Sequence, residues 1–361
     1  MRKILLFILF FSVNCIIFSQ QLTLKKIDEI PAYYQQFNNL KVKLSSDNIE
    51  IDNSSQNVFS EAIEGEKIFK TSSNNYYFLV ANFHSSEKDN YDKISIIVFD
   101  EEGYIFSKLE LNSSSQTHIL FAVTDYGKVS AFDPAKFELT IFNGTSKNKI
   151  SFGNDISAGN IKTSFIAMNN NDVYVLVSTS SLNNKNERAN TNLFKININS
   201  KAVTKNAVDY SIPVLLKIVD EGIIISGIKS NNSKHQADIS LIDNSMEIVK
   251  EAKLAADKLV KYNSDYFIKY GSAMYRLDKN FNKVREYFFA NNERVEDFTI
   301  EGNNIFVLTK KNYLYNVYNL SDKFKLNAEA AVHIPGNSFK SLNANGDILF
   351  IHTDKKTFLY E

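Results

Sequence analysis

The chain has 361 residues, 44% hydrophobic and 23% charged, with 41 Lys+Arg against 41 Asp+Glu and a net charge of zero. That composition excludes an intrinsically disordered chain, and the lack of any basic block or stripe argues against a nucleic-acid partner. Phe (28) and Tyr (18) are abundant while Gly (12) and Pro (4) are scarce, so Asn, Asp and Ser must build most of the turns.

The chain opens MRKILLFILFFSVNCIIFSQQ. Arg2 and Lys3 make a positive start, Leu5 to Phe18 an apolar run, and Ser19 offers a small residue. This pattern predicts a secretory signal peptide over residues 1–19, cut near Ser19–Gln20, and hence a secreted, periplasmic or cell-envelope protein. The apolar run falls short of the roughly 20 residues that span a bilayer, so no transmembrane span is expected in the mature chain. An uncleaved N-terminal anchor is the plain alternative. Cys15, the sole cysteine, could instead accept a lipid. SVNC, however, lacks the leucine three residues before and the small residue just before that such signals carry. If Cys15 leaves with the signal, disulfides and thiolate metal sites are excluded.

Residues 20–66 read as an N-terminal segment. Within it PAYYQQFNNL (31–40) suggests a helical turn. From about residue 67 to 361 the chain is a succession of short apolar runs: YYFLVAN, ISIIVFD, DVYVLVS, GIIISGI, NIFVLTK and DILFIHT. Rich in Val, Ile, Tyr and Phe and bounded by Asn/Ser/Asp/Gly clusters, they predict strands. Many are apolar at every position, as expected of a sheet buried on both faces.

An apolar residue followed by Asp, Asn or Glu recurs at Phe99-Asp100, Phe142-Asn143, Ile198-Asn199, Ile242-Asp243, Leu277-Asp278, Tyr318-Asn319 and Tyr360-Glu361. The spacings are 43, 56, 44, 35, 41 and 42 residues. A period of about 40–45 made only of short strands predicts propeller blades. The Asp or Asn accepts from backbone N–H groups two residues on and nucleates the turn between third and fourth strands. The register also makes MEIVKEAKLAADKLVKY (246–262) strand, turn and strand, although its Glu, Lys, Ala and Leu are good helix formers.

The last unit, FKSLNAN, DILFIHT and TFLYE, lacks a fourth strand. An open edge is a liability, so a strand from residues 20–66 is expected to complete it. The preferred candidates lie in 39–63 (NLKVKLS, DNIEID, NVFSEAI), and LTLKKIDEI (22–30) is the second choice. The expectation is thus an all-β, seven-bladed β-propeller closed by an N-terminal strand, with six or eight blades as alternatives.

VFDEEGYIFSKLEL (98–111) and LIDNSMEIVKEAKL (241–254) resemble the third-to-fourth-strand hairpins of NHL/YVTN-type β-propellers, over about residues 67–361. The resemblance implies a fold, and it carries over no catalytic residue.

Sites of chemistry are not apparent in the sequence. His84, His118, His235, His333 and His352 show no HExxH or HxH spacing, and His118 and His352 fall within strands as core or blade-surface residues. DNIEIDN and NNND lack calcium-loop spacing, and neither a phosphate loop nor a nucleophile elbow is present. No catalytic residue, metal or cofactor is predicted. Three second-to-third-strand connections read as long: 84–93, 178–191 and 229–236. Loops of that kind on a rigid scaffold tend to carry binding, and they offer His84, Tyr91, Arg188 and His235. The function that follows is a binding or interaction module for a protein, envelope component or glycan. Its rival is a propeller-fold hydrolase or lyase acting on a polysaccharide or lactone, which would need convergent carboxylates or histidines at the inner blade ends.

Overall fold

The structure is a computed structural model of the chain. It describes the backbone of residues 20–21 and 24–30 and, apart from connecting segments, 33–361; side chains are described for residues 24–26, 28 and, with gaps, 119–361. Among the described residues every regular element is a strand. The expected signal peptide and Cys15 lie outside them.

The strands pair into antiparallel sheets of four, formed by consecutive stretches of chain. The fourth sheet is typical: Ile161–Met168, Asp172–Thr179, Asn190–Asn197 and Val203–Val208 pair in that order. The fifth comprises Ile212–Val219, Gly222–Asn231, Lys234–Ile242 and Ile248–Ala252. The sixth comprises Lys258–Tyr262, Asp265–Tyr270, Ala273–Leu277 and Lys283–Phe288. The seventh is built from Arg294–Glu301, Asn304–Lys311, Leu314–Ser321 and Leu326–Val332. Residues 246–262, whose composition favours helix, are two strands with a turn between them, because pairing with Lys234–Ile242 on one side and Asp265–Tyr270 on the other satisfies their backbone.

Both faces of these sheets are covered. In Asp172–Thr179 the odd-numbered Val173, Val175 and Val177 pack with Phe132, Leu139 and Ile141 of the third sheet, which comprises Leu120–Val123, Val129–Asp133, Glu138–Asn143 and Ser146–Ser151. The even-numbered Tyr174 and Leu176 pack with Leu216, Ile223 and Ile225 of the fifth. Alternation along a strand sends successive side chains to opposite faces, so an unbroken apolar run serves two cores at once. Each fully buried aliphatic side chain contributes about 1.5–3 kcal/mol. The first strands of the third to sixth sheets are neighbours in that order, as are those of the seventh and eighth. They form a hub from which the sheets radiate.

The final sheet contains Phe339–Asn345, Ile348–Thr353 and Thr357–Tyr360. Its fourth strand is Lys26–Ile30, antiparallel to Thr357–Tyr360 with Glu29 opposite Phe358. Lys25 and Glu361 exchange two backbone hydrogen bonds, 3.0 and 3.1 Å, and the Lys26 ammonium lies 4.8 Å from the Phe358 ring centroid. An N-terminal strand therefore completes the last sheet, but it comes from the second-choice stretch 22–30 and not from 39–63. The preferred candidates have partners of their own. Tyr33–Phe37, Leu40–Leu44, Asn48–Ile51 and Ser54–Asn57 form a separate four-stranded sheet, and Tyr33–Phe37 lies against Ile348–Thr353 of the last one. The helical turn expected in 31–40 is likewise strand, since pairing with Leu40–Leu44 satisfies its backbone. Gln20–Gln21 adds a short parallel strand to the outer edge of the seventh sheet, opposite Ala328 and Glu329. The sheets among the described residues number eight, which does not confirm the expected count of seven blades.

Candidate functional site

Of the four residues singled out on long connections, His84 ends the strand Tyr76–His84 opposite Asp92, and its side chain lies outside the described residues. Tyr91 and Arg188 lie outside them altogether. His235 is exposed and sits opposite Ser230. The expected long loop at 229–236 is not one. Gly222–Asn231 and Lys234–Ile242 run on into a tight hairpin, with Asn231 opposite Lys234. The backbone groups of the two strands pair with each other up to that point. His84 and His235 belong to strands of different sheets.

Beneath that hairpin, between the fourth and fifth sheets, lies the densest polar constellation among the described residues. Lys229, Asp238 and Ser240 stand on the face of the fifth sheet that, further down, presents Ile223, Ile225 and Ile242 to the fourth. Tyr210 enters from the segment joining the two sheets. Its hydroxyl lies 2.7 Å from Ser240 Oγ and donates toward the Ile225 carbonyl (3.2 Å) and Asp238 Oδ1 (3.3 Å). The Lys229 ammonium pairs with Asp238 Oδ1 at 3.1 Å and with Glu251 Oε1, and sits 5.1 Å from the Tyr210 ring centroid. Ser240 Oγ donates to Glu251 Oε1 at 3.1 Å. The entering strand crosses closely here: a Cβ on Gly227 would lie 2.3 Å from the Ile212 carbonyl oxygen, so only glycine fits.

The fourth sheet faces this group with a row of hydroxyls. Thr163, Ser178 and Thr191 are register partners across its first three strands. Thr191 Oγ1 donates to the Tyr210 carbonyl. Among the described residues Ser178 Oγ and Thr163 Oγ1 are buried without a hydrogen-bond partner. Ser178 and Thr191 also flank the 178–191 connection that carries Arg188.

The charge states of the cluster hold one another in place. Burial works against the Lys229 charge, yet hydrogen bonds to Glu251 and Asp238 lift its proton affinity above the ordinary lysine range. The hydrogen bond from Lys229 holds the Glu251 carboxyl below the usual carboxylate range. Burial, with the Asp238 charge adding to it, pushes the Tyr210 phenol well above its ordinary value. At neutral pH the site presents an ammonium, an ionised Glu251 and a protonated phenol. Such a surface recognises polar and charged groups by hydrogen bonding.

None of Tyr210, Lys229, Asp238, Ser240 and Glu251 was singled out from sequence. A signal for three of them did exist. In KHQADISLI the inward positions of Ile242 are shared by Ser240 and Asp238, and Lys229 occupies the inward parity of Ile223 and Ile225. Polar residues at core parity are costly unless paired, and so they mark a built site.

No family model and no curated protein matches the chain. Among solved structures, the WD40 domain of Neurospora crassa Pan2 superposes with a TM-score of 0.51 at 11% identity, over 82% of this chain and 89% of that one. The acylaminoacyl peptidase of Pyrococcus horikoshii superposes with a TM-score of 0.50 at 12% identity, over 81% of this chain. The match spans 48%, about half, of the peptidase. At such identities the likeness shows the fold alone: a propeller-like, all-β repeat architecture.

Proposed function

We propose that this chain is an exported binding module: an eight-bladed propeller, closed by Lys26–Ile30, with hairpins of the NHL/YVTN kind. It engages a protein or glycan of the cell envelope at the end where the second-to-third-strand hairpins of the fourth and fifth blades project. The eight sheets in chain order and the placement of Tyr33–Phe37 beside the last sheet support the blade count. The signal-like residues 1–19 support export. The observation that carries the function is the Tyr210–Lys229–Asp238–Ser240–Glu251 cluster, built at core parity and locked in fixed charge states. Fixed charges suit recognition, whereas a general acid or base works best with a proton affinity near the operating pH.

The test passes purified protein over immobilised envelope polysaccharide and, separately, immobilised envelope proteins. Saturable retention is expected on one of them. The double variant His235→Ala, Glu251→Gln should weaken it about tenfold, roughly 1.4 kcal/mol, without loss of cooperative melting. Retention that the variant leaves unchanged, or release of soluble saccharide by the wild type, overturns the reading, the latter in favour of the hydrolase or lyase.

A further inference from the structure

The hub carries a second feature, independent of that cluster. Neighbouring first strands are stitched by side chains that reach from one sheet to the next. The Lys258 ammonium of the sixth sheet reaches Asp297 Oδ1 (2.5 Å) and the Phe298 carbonyl (2.8 Å) of the seventh. Asp297 Oδ2 in turn accepts from the Leu342 N–H of the eighth at 2.9 Å. One sheet earlier, Lys217 reaches the Leu259 carbonyl at 2.6 Å. It alternates with Leu215 and Val219, which pack toward the sixth sheet, so its stem runs between apolar neighbours.

Lys217 departs from the pattern in its charge balance. Lys229, Lys258, Lys261 and Lys269 each lie within 4 Å of a carboxylate. Lys217 meets none among the described residues, and one carbonyl engages it where an ammonium offers three donors. Burial depresses its proton affinity and the nearby Lys258 charge depresses it further. Yet the residue is only half-buried in surface terms, so a small solute can approach. Charges removed from water are normally paired; here the counter-charge is not supplied by the described chain.

We propose that the hub binds a small oxyanion, a carboxylate or a phosphate, on the Lys217 ammonium between the first strands of the fifth and sixth sheets. Its oxygens accept the donors that Leu259 leaves free, and its charge offsets the repulsion between Lys217 and Lys258. The site is separated from the Tyr210 cluster by the fifth sheet itself, whose two faces look toward different neighbours.

The experiment follows thermal unfolding of the whole chain against rising inorganic phosphate or acetate, with ionic strength held constant by chloride. A ligand that binds only the folded state raises the melting temperature saturably. Such a rise is expected for the wild type with at least one of the two anions, and the one acting at lower concentration identifies the ligand class. Lys217→Met should move the midpoint at least tenfold higher, while Lys217→Arg, which keeps a cation, should retain it. An equal rise in wild type and Lys217→Met is a general salt effect and overturns the proposal, as does the absence of any saturable rise in the wild type. Should Lys217→Met fail to fold, acylation of Lys217 in the wild type, read by mass spectrometry, decides. Slowing by the anion supports the site, and an unchanged rate overturns it.

Discussion

His352 shows how burial makes a titratable side chain a structural group. It is fully buried on the second strand of the last sheet, with Nε2 3.1 Å from Asn343 Nδ2 and Nδ1 3.1 Å from Thr357 Oγ1. Burial pushes its pKa down to about 3 from 6.5, so the folded protein holds it neutral. Between pH 6.5 and about 3 the unfolded chain binds a proton that the folded chain refuses, so stability falls as pH drops through that window. Urea unfolding at pH 7 and pH 4.5 should show a loss of about 2–3 kcal/mol from this residue, at roughly 1.4 kcal/mol per unit. His352→Gln should be less stable at pH 7 but flatter between the two values; an equally steep variant would place the pH dependence elsewhere. That His352 belongs to the core was legible from its position inside DILFIHT. The unpartnered Ser178 and the uncompensated Lys217 were not, because whether a polar group finds a partner depends on a strand some forty residues away.

The third-to-fourth-strand turn is the element the sequence displays most openly. Asp243 Oδ1 accepts from the Ser245 N–H (2.9 Å), the Ser245 hydroxyl (2.7 Å) and the Glu247 N–H (3.0 Å). Asp278 repeats the arrangement with Asn280 and Asn282. In the seventh sheet Ser321, two residues beyond Asn319, takes the part, so the recurring dipeptide marked that turn only approximately. What the sequence hid is how these turns end. Met246, Phe281 and Phe324 have φ values of 71°, 66° and 57° and are buried, whereas Lys201, at φ 60°, is exposed. A left-handed conformation costs a non-glycine residue about 1–2 kcal/mol, and core burial of a large side chain outweighs it. Phe281→Gly should therefore destabilise by about 2–4 kcal/mol, the loss of a core aromatic reduced by relief of the backbone. Lys201→Gly should be neutral or stabilising by up to about 1 kcal/mol. Denaturant midpoints measure both, and a stabilising Phe281→Gly would show that backbone strain governs these turns.

At the scale of the molecule, the last sheet depends on residues from the other end of the chain. Removing residues 20–30 strips Thr357–Tyr360 of its antiparallel partner and leaves an exposed edge. The expected product melts without cooperativity or aggregates, whereas a variant cut only before residue 20 melts as a single transition. Calorimetry with light scattering distinguishes them, and a soluble, cooperative product lacking residues 20–30 would mean that closure contributes little. The sequence by itself determined that the chain is all-β, that its strand units recur every forty-odd residues, that many strands are apolar on both faces, and that the last unit lacks a strand. These are local or periodic properties, written in hydrophobic alternation and turn chemistry within a few residues of each other. Only the tertiary structure decided which early strand fills the gap, how many sheets the chain forms, and where Tyr210, Lys229, Asp238 and Glu251 converge. Those outcomes rest on pairings between distant segments, and a strand's pattern states that it needs a neighbour without stating which one.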